Sequence, residues 1–163
     1  MDALPNISLP RCSPERQGMS SNAVLSFLDS ISEKGIELHS FMLLRHGYVI
    51  AEGWWKPYAP HLNHSLFSLS KSFTATAIGM AVDENLLTID DHVIDFFPDK
   101  LPPVVDDHLK ALTIKDLLTM STGHDQDTLE DVHPGQDWVK NFLATPLKHK
   151  PGTVFVYNTP ATY

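Results

Sequence analysis

The sequence predicts an α+β fold in which a helix and a β-hairpin near the N-terminus precede a mainly helical region. Residues 20–34 predict the helix, because apolar side chains recur on one face and a serine precedes them. Residues 38–54 predict the hairpin, because two apolar runs flank His46 and Gly47. A two-stranded hairpin is only marginally stable alone in water, so we expect it to belong to a larger sheet and the fold to be incomplete.

The N-terminal elements have recognisable boundaries. Ser20 or Ser21 is expected to cap the helix, which should end near Lys34. The run from Leu38 to Arg45 is almost continuously apolar, which predicts a strand buried on both faces. Residues 48–54 are predicted to form the returning strand.

The remainder of the chain is predicted to be helical with connecting loops. A long helix is expected from about Ser68 to Asn85. Shorter helices are expected at residues 90–97 with Asp90 as the cap, at 113–120 with Thr113 as the cap, and at 136–143. We therefore expect one incomplete domain, with residues 1–55 in its α/β part and residues 56–163 in its helical part.

Composition and charge exclude several functional classes. The 163 residues carry a formal net charge of -8, which disfavours nucleic acid as a partner because a phosphate backbone requires a basic surface. No apolar run is long enough to span a membrane, and the N-terminus does not resemble a signal peptide, so we expect a cytoplasmic protein. The single Cys12 cannot form an internal disulfide. His61 and His64 lack partners at metal-ligand spacing, so we expect neither a metal nor a cofactor.

Ser68 and Lys71 have a spacing that suits nucleophilic catalysis. Residues three apart in a helix share a face, so the Lys71 amine can reach the Ser68 hydroxyl. A serine hydroxyl becomes an effective nucleophile when a base removes its proton. The spacing alone is weak evidence, because 13 serines and 9 lysines in a chain of this length produce it about 0.7 times by chance.

The segments around this pair resemble those of the β-lactamase-related serine hydrolases, which include class C β-lactamases, D-alanyl-D-alanine carboxypeptidases and esterases. Four segments occur in the family's order: residues 66–75 (LFSLSKSFTA), 86–93 (LLTIDDHV), 113–124 (TIKDLLTMSTGH) and 151–158 (PGTVFVYN). The resemblance implies an incomplete β-lactamase/transpeptidase-like fold. It also implies that Ser68 is the acylated nucleophile, Lys71 its base or proton relay, and Tyr157 a second proton-transfer group.

The chain departs from the family pattern at two places. The family usually has asparagine two residues after the tyrosine, whereas here Thr159 stands there and Asn158 is one residue early. Both are candidate substrate-binding residues, and an ester is at least as plausible a substrate as an amide or a β-lactam. The family's third motif, a strand with Lys-Thr-Gly or His-x-Gly, should follow the tyrosine by a long stretch, but the sequence ends at Tyr163.

Two functional hypotheses therefore remain open. The first is a serine hydrolase that forms an acyl-enzyme with a small-molecule acyl substrate. The second is a truncated, non-catalytic fragment that binds a ligand or a partner. Without partner strands, the hairpin of residues 38–54 would expose unpaired strand edges and apolar faces, which predicts self-association through it or poor solubility.

Overall fold

The computed structural model describes residues 8–131 and 135–163, apart from the side chain of Asp131. The chain divides into two units, a first unit that ends at Ser65 and a second unit from Leu66 to Tyr163. Within the described ranges, the structure has no helix that combines the length and the apolar character needed to cross a membrane.

The first unit contains a helix and an antiparallel hairpin. Helix α1 spans Ser21–Glu33, strand β1 spans Ser40–Arg45 and strand β2 spans Tyr48–Trp54. The predicted cap is confirmed, because the Ser20 hydroxyl accepts a hydrogen bond from the backbone N–H of Asn22 at 3.1 Å. The predicted hairpin is also confirmed.

The hairpin has a tight turn between its strands, and a short segment near the N-terminus pairs with β2. His46 and Gly47 both have positive φ, 49° and 79°, as the turn that best matches the twist of two antiparallel strands requires. Residues 10–12 add to β2, since the Val49 N–H donates to the Pro10 carbonyl at 2.9 Å and its carbonyl accepts from the Cys12 N–H at 3.2 Å.

The prediction that β1 is buried on both faces is wrong. Met42 and Leu44 are 47% and 45% exposed, whereas Phe41 and Leu43 on the opposite face are half-buried. Phe41 lies against Phe27 of α1, with 6.1 Å between ring centroids. A two-stranded sheet covered on one face leaves its other face open to solvent. Self-association through this hairpin stays a prediction.

The second unit is helical and surrounds one apolar core. Its helices are α2 (Ser70–Asp83), α3 (Val93–Phe96), α4 (Asp107–Ala111), α5 (Ile114–Leu118) and α6 (Trp138–Ala144). Short 3-10 turns occur at Phe67–Leu69, Thr128–Asp131 and Thr159–Thr162. The buried core consists of apolar side chains from these helices and the loops between them: Val93, Leu109, Leu112, Ile114, Met120, Phe142, Leu143, Leu147 and Ala161.

Helix caps explain where the short helices begin. Thr113 and Asp116 form a reciprocal capping box at the start of α5, as Thr113 was predicted to do. The prediction that Asp90 caps a helix is wrong. His92 precedes α3, and the neighbouring Asp91 carboxylate instead accepts hydrogen bonds from Thr88 N and Oγ1 at 2.8 and 2.7 Å.

Candidate active site

Ser68 lies in the 3-10 turn that leads into α2. The Leu69 N–H donates to the Leu66 carbonyl at 3.0 Å and closes this turn. Phe67, directly before the serine, has φ of +45°, a conformation that costs a residue with a side chain roughly 1–3 kcal/mol. Such strained residues cluster at functional sites, where surrounding structure holds them in place. The turn leaves the Ser68 side chain exposed.

Lys71 follows in the first turn of α2, on its half-buried face. That face also carries Thr74, Ile78 and Ala81, at the three- and four-residue spacing of a helix stripe. The opposite face of α2 is exposed. Helical geometry therefore places Lys71 between the Ser68 turn and the interior of the second unit.

Tyr157 is positioned by a run of backbone hydrogen bonds between two loops. The segment 149–156 lies beside residues 120–123 through three bonds: His149 N to Gly123 O at 2.9 Å, Gly152 N to Ser121 O at 2.8 Å, and Val156 N to Met120 O at 2.9 Å. The last of these fixes the residue directly before Tyr157. The sequence predicted an extended approach over residues 153–157, and its extended conformation stays a prediction.

Asn158 anchors the chain on the other side of Tyr157. It is fully buried, and its Oδ1 accepts hydrogen bonds from Thr128 N at 3.2 Å and from Thr128 Oγ1 at 2.9 Å. Its Nδ2 lies 3.2 Å from Nδ1 of buried His124. Because an amide N–H donates, this histidine nitrogen is the acceptor. Tyr157 therefore projects from a backbone that is fixed immediately before and after it.

Thr159 is held by Asp127. The Thr159 backbone N–H and its hydroxyl donate to Asp127 Oδ1 and Oδ2, each at 3.0 Å. The contacts that the structure gives to Asn158 and Thr159 are thus within the protein, and their role in substrate binding stays a prediction. No supporting role at this site was predicted for Asp127, His124 or Thr128, because each acquires that role through a partner about thirty residues away.

Two buried threonine hydroxyls allow a stability prediction. Thr162 Oγ1 is buried without a hydrogen-bond partner among the described residues, whereas Thr128 Oγ1 donates to Asn158. Burying an unpaired hydroxyl costs about 1–3 kcal/mol. We expect Thr162→Val to raise the melting temperature by roughly 2–4 °C, the change that about 1 kcal/mol causes in a domain of this size.

The matched Thr128→Val substitution should have the opposite effect. It removes a made hydrogen bond and leaves the buried Asn158 oxygen short of a donor, so the melting temperature should fall. Thermal unfolding followed by circular dichroism measures both variants. A decrease of equal size for Thr162→Val would contradict the assignment of an unpaired hydroxyl.

The structure brings Ser68, Lys71 and Tyr157 together. Ser68 Oγ and Tyr157 OH are 2.5 Å apart, a strong hydrogen bond between residues 89 positions apart in sequence. Lys71 Nζ lies 5.2 Å from the centroid of the Tyr157 ring, within range of a cation–π interaction. Hydrogen bonding with Ser68 and then with Lys71, together with the smaller effect of the Lys71 charge, holds the pKa of Tyr157 below its ordinary value of 10.0.

This geometry permits proton transfer. A hydroxyl, a phenol within hydrogen-bond distance and a neighbouring cation are the kinds of group that a nucleophile, its base and a charge stabiliser require. The phenol is 44% exposed, so the site is open to solvent and to a small molecule. Among the described residues, no three His, Cys, Asp or Glu side chains are grouped so that they could hold a metal ion.

A comparison with known families places the chain. The sequence model of the family described as Beta-lactamase matches residues 24–162, which is most of the chain. The chain belongs to the Beta-lactamase family. None of the curated proteins compared with it matches.

A solved structure shows the same fold as this Beta-lactamase family member. It is named "Putative 6-aminohexanoate-dimer hydrolase from Bacillus anthracis", with 18% sequence identity and a TM-score of 0.61. The match covers 83% of this chain and 39% of that one, so the chain spans about two fifths of its structural relative. The molecule thus has part of a Beta-lactamase-family hydrolase fold.

Proposed function

We propose that this protein is a serine hydrolase that forms an acyl-enzyme at Ser68 with an ester, amide or β-lactam carbonyl. The observation that carries the proposal is the 2.5 Å hydrogen bond between Ser68 Oγ and Tyr157 OH, with Lys71 Nζ beside the same ring. The family membership supports it, because it assigns a hydrolase fold to the segment that holds all three side chains.

The proposed reaction begins with the Tyr157 phenolate, which the Lys71 ammonium stabilises. The phenolate takes the Ser68 proton as Oγ attacks the carbonyl carbon, which gives a tetrahedral intermediate. Its collapse breaks the bond to the leaving group, and Tyr157 returns the proton to that group. Water then attacks the acyl-enzyme by the same proton path and releases the acid. General acid–base catalysis of this kind contributes about 10²–10⁴ to a rate.

An ester is the substrate class we favour. Thr159 stands where the family usually has asparagine, and its hydroxyl is bonded to Asp127. A side-chain amide that could pair with a substrate amide is therefore not offered at this position. The competing proposal, a non-catalytic fragment that binds a ligand or a partner, predicts no covalent reaction at Ser68.

Covalent labelling distinguishes the two proposals. A fluorophosphonate should modify the wild-type protein at one site, and peptide mass spectrometry should locate the adduct at Ser68. Ser68→Ala should lose the label, whereas Ser70→Ala, the same change two residues further along at the start of α2, should keep it. Labelling that persists in Ser68→Ala, or is absent from the folded wild type, would overturn the hydrolase proposal.

A further inference from the structure

A partly open cavity in the second unit borders the candidate active site at Lys71, the one of the three site residues that lines it. Its volume is about 290 Å³, and Lys71 forms part of its wall. The remaining wall is mostly aliphatic and aromatic and includes Ile78, Val93, Met120 and Phe142. Lys71 therefore belongs both to the candidate active site and to the cavity wall. Its ammonium lies beside the Tyr157 ring, and the residue also borders the apolar space.

The cavity follows helix α2. Lys71, Thr74, Ala75 and Ile78 all contribute to its wall, and they lie on one side of the helix. The first and the last are seven positions apart, and a rise of 1.5 Å per residue gives this wall a length of roughly 10 Å. The wall that α2 contributes is thus about as long as a medium-length hydrocarbon chain.

We propose that this cavity binds the unbranched apolar acyl chain of the substrate whose carbonyl carbon reacts with Ser68. The proposal rests on the function proposed above and names its substrate class: esters of medium-chain fatty acids. An acyl group attached at Ser68 would pass Lys71 and enter the cavity along α2.

The chemistry of the wall supports a hydrocarbon occupant. No Asp or Glu side chain borders the cavity in the described part of the chain, so it offers no partner for a cationic group. A mostly apolar wall gives a water molecule too few hydrogen-bond partners, so such a space favours an apolar ligand over water. The volume lies near the lower end of the roughly 300–1,000 Å³ range of small-molecule sites, which suits one narrow chain.

A series of p-nitrophenyl esters tests the proposal. Burying one methylene group is worth about 0.8 kcal/mol, so kcat/KM should rise about fourfold per added carbon. From acetate to hexanoate the wild type should gain roughly 200-fold by the same relation. Absence of any rise with chain length, in a protein that Ser68-dependent hydrolysis shows to be active, would overturn the cavity proposal and leave the hydrolase proposal intact.

Two alanines of α2 provide matched variants. Both are exposed, but Ala75 borders the cavity and Ala77 is not part of its wall. Ala75→Phe should fill part of the cavity and reduce the hexanoate-to-acetate ratio of kcat/KM by at least tenfold. Ala77→Phe, which makes the same change in volume and helix propensity, should keep the wild-type ratio. Equal ratios in the two variants would contradict the location of the chain.

Binding measured without turnover separates the two proposals. Isothermal titration of the Ser68→Ala protein with sodium octanoate should show binding that Ala75→Phe weakens and Ala77→Phe does not. If octanoate binds in this way but no ester is hydrolysed, the cavity proposal stands and the hydrolase proposal falls. If octanoate does not bind and chain length has no effect, the cavity proposal is wrong.

Discussion

The Tyr157→Phe variant is expected to hydrolyse p-nitrophenyl acetate about 10²–10⁴-fold more slowly than the wild type, because it loses the general base. The loss should fall mainly on kcat. In the proposed mechanism the Tyr157 phenolate oxygen accepts the Ser68 proton, whereas the ring that lies beside Lys71 is kept in phenylalanine. Steady-state kinetics at several substrate concentrations measure both parameters.

The pH dependence provides an independent measurement of the same role. Ser68 and Lys71 lower the pKa of Tyr157, so its phenolate is populated at lower pH than that of an ordinary tyrosine. The wild-type rate should therefore rise with pH and level off once pH exceeds this lowered pKa. The Tyr157→Phe variant should lack that rise, because phenylalanine has no proton to lose.

A second tyrosine serves as the control for this experiment. Tyr48 is exposed in β2, in the first unit of the chain, and Tyr48→Phe should keep the wild-type kcat and pH profile. If Tyr157→Phe retains the wild-type kcat, the proton is accepted by another group, and the proposed role of Tyr157 is wrong. Loss of kcat with an unchanged pH profile would likewise contradict its role as the titrating base.

Local features of the fold were predictable because their causes are local. Ser20 caps α1 and Thr113 caps α5, since a side-chain oxygen needs only a backbone N–H two or three residues ahead. The hairpin turn at His46–Gly47 depends in the same way on neighbouring residues. Asp90 shows the limit of such reasoning, because adjacent Asp91 forms the hydrogen bonds to Thr88 instead.

Features that depend on distant partners were not predictable from local patterns. The apolar run in β1 predicts burial, but what covers each face is decided by other elements, and Met42 and Leu44 are exposed. The spacing of Ser68 and Lys71 was weak evidence alone and gained weight from the family resemblance, whereas Tyr157 was suggested only by that resemblance. The Tyr157 hydroxyl lies 2.5 Å from Ser68 Oγ. This position depends on the backbone hydrogen bonds of residues 149–156, and the sequence does not reveal those bonds.

Those backbone contacts lead to the largest stability effect we expect, from Gly123→Ala. Gly123 has φ of +96°, which strains any residue with a side chain. An added Cβ would lie 2.3 Å from the backbone oxygen of His149. The clash cannot be relieved by a side-chain rotation, so the two backbone segments must separate, and the His149 N to Gly123 O hydrogen bond would be lost with them.

We expect Gly123→Ala to lower the free energy of unfolding by about 4 kcal/mol or more, an effect as large as those of severe backbone or core defects. Because a domain is stable by only about 5–15 kcal/mol, the melting temperature should fall by roughly 10 °C, measured by thermal unfolding. Gly79→Ala in α2 is the matched control, since its added Cβ meets nothing within 4 Å and helix propensity favours alanine. An unchanged melting temperature for Gly123→Ala would contradict the close approach of Gly123 to the His149 oxygen.

The backbone segment that Gly123→Ala would displace also positions Tyr157. The folded fraction of Gly123→Ala should therefore label more slowly with fluorophosphonate than the Gly79→Ala protein.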